Sequence, residues 1–176
     1  MNTKQMAYTA LMAAVISVLA PIAIELSGGV PVSLATLAVM LAGGLLGSRY
    51  GTLGALIYIL LGMIGMPVFA GYSSGAHIVF GMTGGYILGY LPLAYCTGWF
   101  AEHYGSNIKS LVSGTLLGNL VLYILGTLWF MVVTKMGLIA SLAACVIPFL
   151  PGDLLKIAVV CILVPRLSRF LLLQNS

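Results

Sequence analysis

Asp153 and Lys156 stand three residues apart, just after Pro151-Gly152 and just before an apolar run from Ile157 to Val164. On a helix that spacing places both side chains on one face. A lysine facing lipid costs roughly 2.5–3.5 kcal/mol on insertion scales, and the N-terminal end of a helix disfavours a cation further. The cost falls if Lys156 faces the interior of a bundle and meets an anion. The pair could then bind a small polar molecule, with Lys156 taking an anionic group and Asp153 accepting from N–H donors. Two plainer readings compete: Asp153 as the N-cap of its helix, and Lys156 snorkelling to the interface or pairing only with Asp153.

Other polar residues inside apolar stretches are candidates for lining the same site. Asn119 and Tyr123 lie four apart, as do Tyr86 and Tyr90, and each pair therefore shares a helix face. A buried Asn needs partners, and neighbouring helices could supply them as readily as a substrate. Glu25 and Glu102 fall at loop edges and read as solvated rim residues; Trp99 and Trp129 suit the two membrane interfaces. The two histidines, His77 and His103, are far apart and the three cysteines isolated, so no metal-ligand spacing is present. No GxxxxGK[ST] loop, Ser/His/Asp set, HExxH or aspartate pair appears, which argues against an ATPase and against an enzyme. No cofactor is expected. Asp153 is the one acidic residue expected within the membrane, and carriers coupled to protons tend to use chains of such groups.

These residues need a scaffold, and composition says which kind. Of 176 residues 61% are hydrophobic and only 6% charged, whereas a soluble domain carries about a quarter charged. Lipid must therefore be the solvent. Spans of roughly 20 residues leave room for about six helices in one domain, residues 1–176, without a soluble appendage. The net charge of +4 comes from scattered basic residues rather than a stripe, so nucleic acid is not the partner.

The pattern predicts helices at about Lys4–Ile24, Val32–Leu46, Thr52–Met66, Thr83–Phe100, Ser110–Thr134 and Asp153–Leu173. The first is read as a retained membrane helix, since it is long and lacks a clear cleavage site. A turn at Gly47–Gly51, a loop at Pro67–Met82 and a connection at Lys135–Gly152, with a short helix at Leu138–Val146, join them; Pro165 is a candidate bend. With the N-terminus inside, Lys4, Arg49, Lys109, Arg166 and Arg169 are cytoplasmic and Lys135 lies outside, the asymmetry that sets orientation. Both termini are then cytoplasmic. The Gly/Pro-rich connections fall outside, where irregular backbone can cover a cavity. Gly43/Gly47/Gly51, Gly81/Gly85/Gly89 and Gly114/Gly118 repeat at helix-packing spacing; Gly85, beside the long loop, is the one singled out for a role beyond packing.

Three segments carry a family resemblance. Gly65-Met-Pro-Val-Phe-Ala-Gly71 is similar to a G-L-P-V-F-A-G loop. Gly81-Met-Thr-Gly-Gly-Tyr-Ile-Leu-Gly-Tyr90 resembles G-P-T-G-G-Y-L-x-G-F. Pro148-Phe-Leu-Pro-Gly-Asp-Leu-Leu-Lys156 resembles P-x-x-P-G-D-x-x-K. Together, in this order and over essentially the whole chain, they resemble the BioY family, the biotin-specific S components of energy-coupling factor transporters. Met82 departs from a common proline, and Ser73-Ser74 from a more glycine-rich stretch.

The resemblance implies a membrane subunit that captures biotin from outside and docks on a transmembrane coupling subunit driven by two cytoplasmic ATPases. It maps the family's charged pair to Asp153 and Lys156 and its glycine-tyrosine segment to Gly84, Gly85 and Tyr86. It maps a docking A-x-x-x-A pattern to Ala10 and Ala14, a pair that plain helix packing explains equally well. On this reading Lys156 takes the biotin carboxylate or, equally, the ureido carbonyl. Asp153 accepts from the ureido N–H groups with Asn119 as a second partner, and Phe69, Tyr86 and the loop Pro67–Ser74, Gly71 included, cover the ring. A stand-alone cation-coupled carrier is the alternative. Nanomolar capture needs about 12 kcal/mol, more than charge pairing supplies, so the loop must also exclude water.

Overall fold

The computed structural model of the chain describes residues 2–24 and 30–173, with side chains through Ser168. Glu25 and the side chain of Arg169 lie outside the described residues. Helix α1 spans Thr3–Leu19, and its start is tied by the Gln5 side chain, which accepts from the Asn2 N–H at 2.9 Å. It stops before Pro21, short of the expected Ile24. The chain instead turns extended, and β1 (Ala23–Ile24) pairs antiparallel with β2 (Val32–Ser33), Ala23 opposite Ser33.

Helix α2 covers Ala35–Met63, but Gly47 inside it has φ 81° and ψ 180°. Only glycine adopts that backbone readily. The chain reverses there: a Cβ on Gly51 would stand 2.6 Å from the Gly43 Cα, whereas residues eight apart on a straight helix are separated by ~12 Å. The two arms, 35–46 and 48–63, thus fold back on each other. The expected five-residue turn is compressed to one residue.

A short helix α3 (Ala76–Val79) and a 3-10 turn (Ala70–Tyr72) give structure to the long loop. Helix α4 spans Gly84–Tyr104 and α5 spans Ile108–Thr134, the latter capped by the Asn107 side chain accepting from the Ser110 N–H. Helix α6 is Leu138–Cys145 and α7 is Leu150–Leu173, with Pro165 inside one helix. Because α7 begins at Leu150, Asp153 lies within its first turn, its N–H bonded to the Phe149 carbonyl. It is not an N-cap. Pro151 falls in the same first turn, where a missing N–H costs nothing.

Helix α4 is central, packed between α2 and α5. Small residues bring the backbones together: Gly43 meets the Ala94 backbone, Gly98 meets Gly47 and Ser48, Gly118 meets Leu93, and Gly89 meets Leu122. One end of the bundle gathers Gln5 with Tyr50, Ser48 with Glu102, and Ser110 with the Phe100 carbonyl. Lys4, Arg49 and Lys109 therefore share that end, and Lys135 caps α5 at the other. Glu102 is exposed, as expected of a rim residue, and it also accepts from the Ser48 hydroxyl at 2.6 Å and lies against Gly47. Among the described residues α2 and α5 are long and apolar enough to cross a bilayer, and α6 with α7, bent by 48°, can form a third span. α2 reaches that length as two arms.

Candidate functional site

The end of the bundle opposite the Gly47 turn encloses a cavity of about 530 Å³, a size suited to a small organic molecule. Its walls come from β2 and the start of α2, the loop after α2, the start of α4, the C-terminal half of α5, and the α6–α7 junction. Tyr58, Phe69, Tyr86, Leu122 and Phe149 line it and are buried, whereas Gly71, His77, Met82 and Val133 line it and are exposed. The former mark the depth and the latter the mouth.

The polar pole of this cavity is Asp153 with Lys156, 5% and 7% exposed. Their helix is placed by Val164 on Gly44, which turns this face of α7 toward α2. The Lys156 Nζ donates to Asp153 Oδ1 at 2.9 Å, to the Ser33 carbonyl at 2.8 Å and to Thr36 Oγ1 at 2.8 Å. An ammonium has three donors, so all are engaged. Asp153 Oδ1 also receives the Thr36 hydroxyl at 3.4 Å, and Oδ2 receives the Tyr123 hydroxyl at 2.5 Å. A carboxylate offers about four acceptor sites, which leaves room for one further N–H. The pole is electrically balanced, and its free capacity is that of an acceptor.

The apolar walls are aromatic. Tyr58 meets Phe69 edge-on at 5.6 Å, and Tyr86 meets Phe149 edge-on at 6.0 Å. The Tyr86 hydroxyl is tied to Thr127 and to the Cys145 carbonyl, both at 3.3 Å, so its ring is what remains to cover a ligand. The loop over the cavity is pinned at several points. Phe69 packs into the space beside Gly62. The Gly71 N–H reaches the Pro21 carbonyl, and the Gly75 N–H reaches that of Gly62. Trp129 Nε1 donates to the Gly81 carbonyl at 2.9 Å.

Of the residues expected at the site, Asp153, Lys156, Phe69, Gly71, Tyr86, Tyr90 and Tyr123 line this cavity. Gly85 does not. A Cβ there would stand 2.3 Å from the Trp129 Cβ, so its small size serves the α4–α5 contact. Asn119 also stands off the wall, its amide nitrogen 3.7 Å from Met40 Sδ and its Oδ1 buried without a partner. It lines a smaller groove between α5 and α7, on the far side of Tyr123 and Asp153. Ala10 and Ala14 are exposed on α1, remote from the cavity lining. Sequence reasoning missed Ser33, Thr36 and Tyr58. A threonine in the first turn of an apolar helix was the one available signal for Thr36.

An apolar helical bundle that holds a cavity open at one end, with a compensated ion pair at its depth, is suited to capturing a small molecule. The chain belongs to the BioY family, whose sequence pattern matches residues 1–172. It is 38% identical over 159 residues to the biotin transporter BioY of Rhodobacter capsulatus, covering 84% of each chain. It is 37% identical to the biotin transporter BioY2 of Lactococcus lactis subsp. cremoris, covering 99% of this chain and 97% of that one. The probable biotin transporter BioY of Pyrococcus horikoshii is 36% identical, with 96% and 98% covered. The crystal structure of the S component for biotin from an ECF-type ABC transporter superposes with a TM-score of 0.85 at 30% identity, covering 96% of this chain and 95% of that one. The chain is thus a membrane transport protein and not an enzyme.

Proposed function

We propose that this chain is the biotin-capturing S component of an energy-coupling factor transporter in the cell membrane. The observation that carries the reading is the aromatic-walled cavity with Asp153 and Lys156 buried at its pole. The ureido ring of biotin enters first, and one of its N–H groups donates to the free acceptor site of Asp153. Lys156 holds Asp153 in place and compensates its charge. Phe69, Tyr86, Tyr90 and Tyr123 enclose the bicyclic body, and the loop with Gly71 closes over it.

The chain acts as a single domain of six spans, with the two arms of α2 counted separately. Both termini are cytoplasmic, on the end that holds Lys4, Arg49 and Lys109, as the distribution of basic residues favours. The cavity then opens outward. Ala10 and Ala14 on exposed α1 form a docking strip for a transmembrane coupling subunit, which two cytoplasmic ATPase subunits drive. No cofactor is used; biotin is cargo.

The test is a titration of biotin against the purified subunit, then uptake into vesicles with and without the energising module. Tight binding by the subunit alone and ATP-dependent uptake only with the module are expected. Ala14→Trp should leave binding intact and abolish uptake. Uptake by the lone chain driven by a proton gradient would refute the proposal in favour of a cation-coupled carrier.

A further inference from the structure

Biotin carries a carboxylate as well as a ureido ring, and the ammonium at the pole of the cavity has no N–H left for it. Lys156 spends its three N–H groups on Asp153, Ser33 and Thr36, and each of these bonds would have to break before it could turn to a substrate anion. An anion brought beside Asp153 would also meet a fixed negative charge. Among the described residues that line the cavity, the other side chain able to carry positive charge is His77. It belongs to α3 and is exposed at the mouth. Its ring lies over Gly75, where a Cβ would come within 2.8 Å of the imidazole Nδ1 and where φ is 102°. A side chain at 75 would displace the ring, so the glycine keeps the imidazole in its place above the opening.

Resting on the biotin reading above, we infer that His77 receives the carboxylate of the bound ligand at the mouth, so that the ligand lies with its ring inward and its acid outward. The imidazole offers an N–H donor in either protonation state. The contact is partly solvated and its weight is correspondingly small, about fivefold in Kd. It acts as a specificity determinant: it distinguishes the acid from neutral relatives with the same ring.

The experiment measures Kd for biotin and for biotinol, its neutral alcohol analogue, with wild type, His77→Ala and His77→Lys. His77→Ala should weaken biotin about fivefold and leave biotinol unchanged, and His77→Lys should restore biotin. Equal losses for both compounds, or no loss for biotin, would overturn the inference while leaving the biotin reading in place. Wild-type protein that binds neither compound would overturn both.

Discussion

Replacing Asp153 by Asn removes a negative charge and leaves the side chain's shape nearly unchanged. Two separate costs follow from the geometry. The Lys156 ammonium keeps the Ser33 carbonyl and Thr36 hydroxyl but loses its counter-charge while 7% exposed. Removing one member of a buried pair costs about 3–5 kcal/mol. A ligand N–H that donated to the carboxylate now meets a neutral amide, and a bond to a charged group is worth about 1.5–3 kcal/mol, so binding should weaken about ten- to a hundredfold. The double variant Asp153→Asn with Lys156→Met separates the two. It removes the stranded charge and leaves only the Ser33 carbonyl and Thr36 hydroxyl short of a donor, a loss of about 1–3 kcal/mol. Thermal unfolding in detergent should therefore rank wild type above the double variant and the double variant above D153N. Calorimetric titration should find biotin binding weakened in both. A D153N protein that binds biotin like wild type, or a double variant that unfolds before D153N, refutes the reasoning.

Gly47→Ala forces a side chain into a glycine-only conformation and against Glu102, where a Cβ would stand 2.0 Å from Oε1. The expected loss is about 1–3 kcal/mol, read as a lower unfolding midpoint, and wild-type stability would contradict the single-residue reversal. Gly85→Val should lower stability through the Trp129 contact while the folded fraction binds biotin with unchanged Kd; a selective binding loss would restore Gly85 to the site. Trp129→Phe removes the bond to the Gly81 carbonyl, worth about 1 kcal/mol, and should speed ligand dissociation by loosening the loop. A dissociation rate equal to wild type's would show that this anchor does not govern the mouth.

Much of the site was legible because charge is so scarce in this chain. An inward orientation of Asp153 and Lys156 was the cheaper reading, since a lysine facing lipid costs roughly 2.5–3.5 kcal/mol, although snorkelling competed with it. Their partners were not legible. Thr36 and Ser33 are distant in sequence, and one hydroxyl in an apolar helix says nothing of what it meets. The aromatic wall followed the tyrosine spacing, so Tyr86, Tyr90 and Tyr123 fell in place. Asn119 followed the same spacing but stands off the lining, because a helix face shared with Tyr123 still spans several directions, and the Asn119 amide turns toward Met40 of α2 rather than into the cavity. Gly85 stands off the lining for a related reason: a glycine looks identical whether a ligand or Trp129 occupies the space beside it. The helices were readable from apolar runs, and the reversal fell within the expected Gly47–Gly51 turn; that it takes only one residue depends on the φ angle of Gly47, which composition does not encode.

Because plus and minus cancel within the pole itself, the depth of the cavity carries no net charge to draw in the dissolved ions around the cell. Chloride or acetate gains little by entering, and the interior contacts are shielded only weakly by added electrolyte. Discrimination there must come from the shape and direction of donors and acceptors, so added salt should weaken capture only through the solvated contact at the mouth.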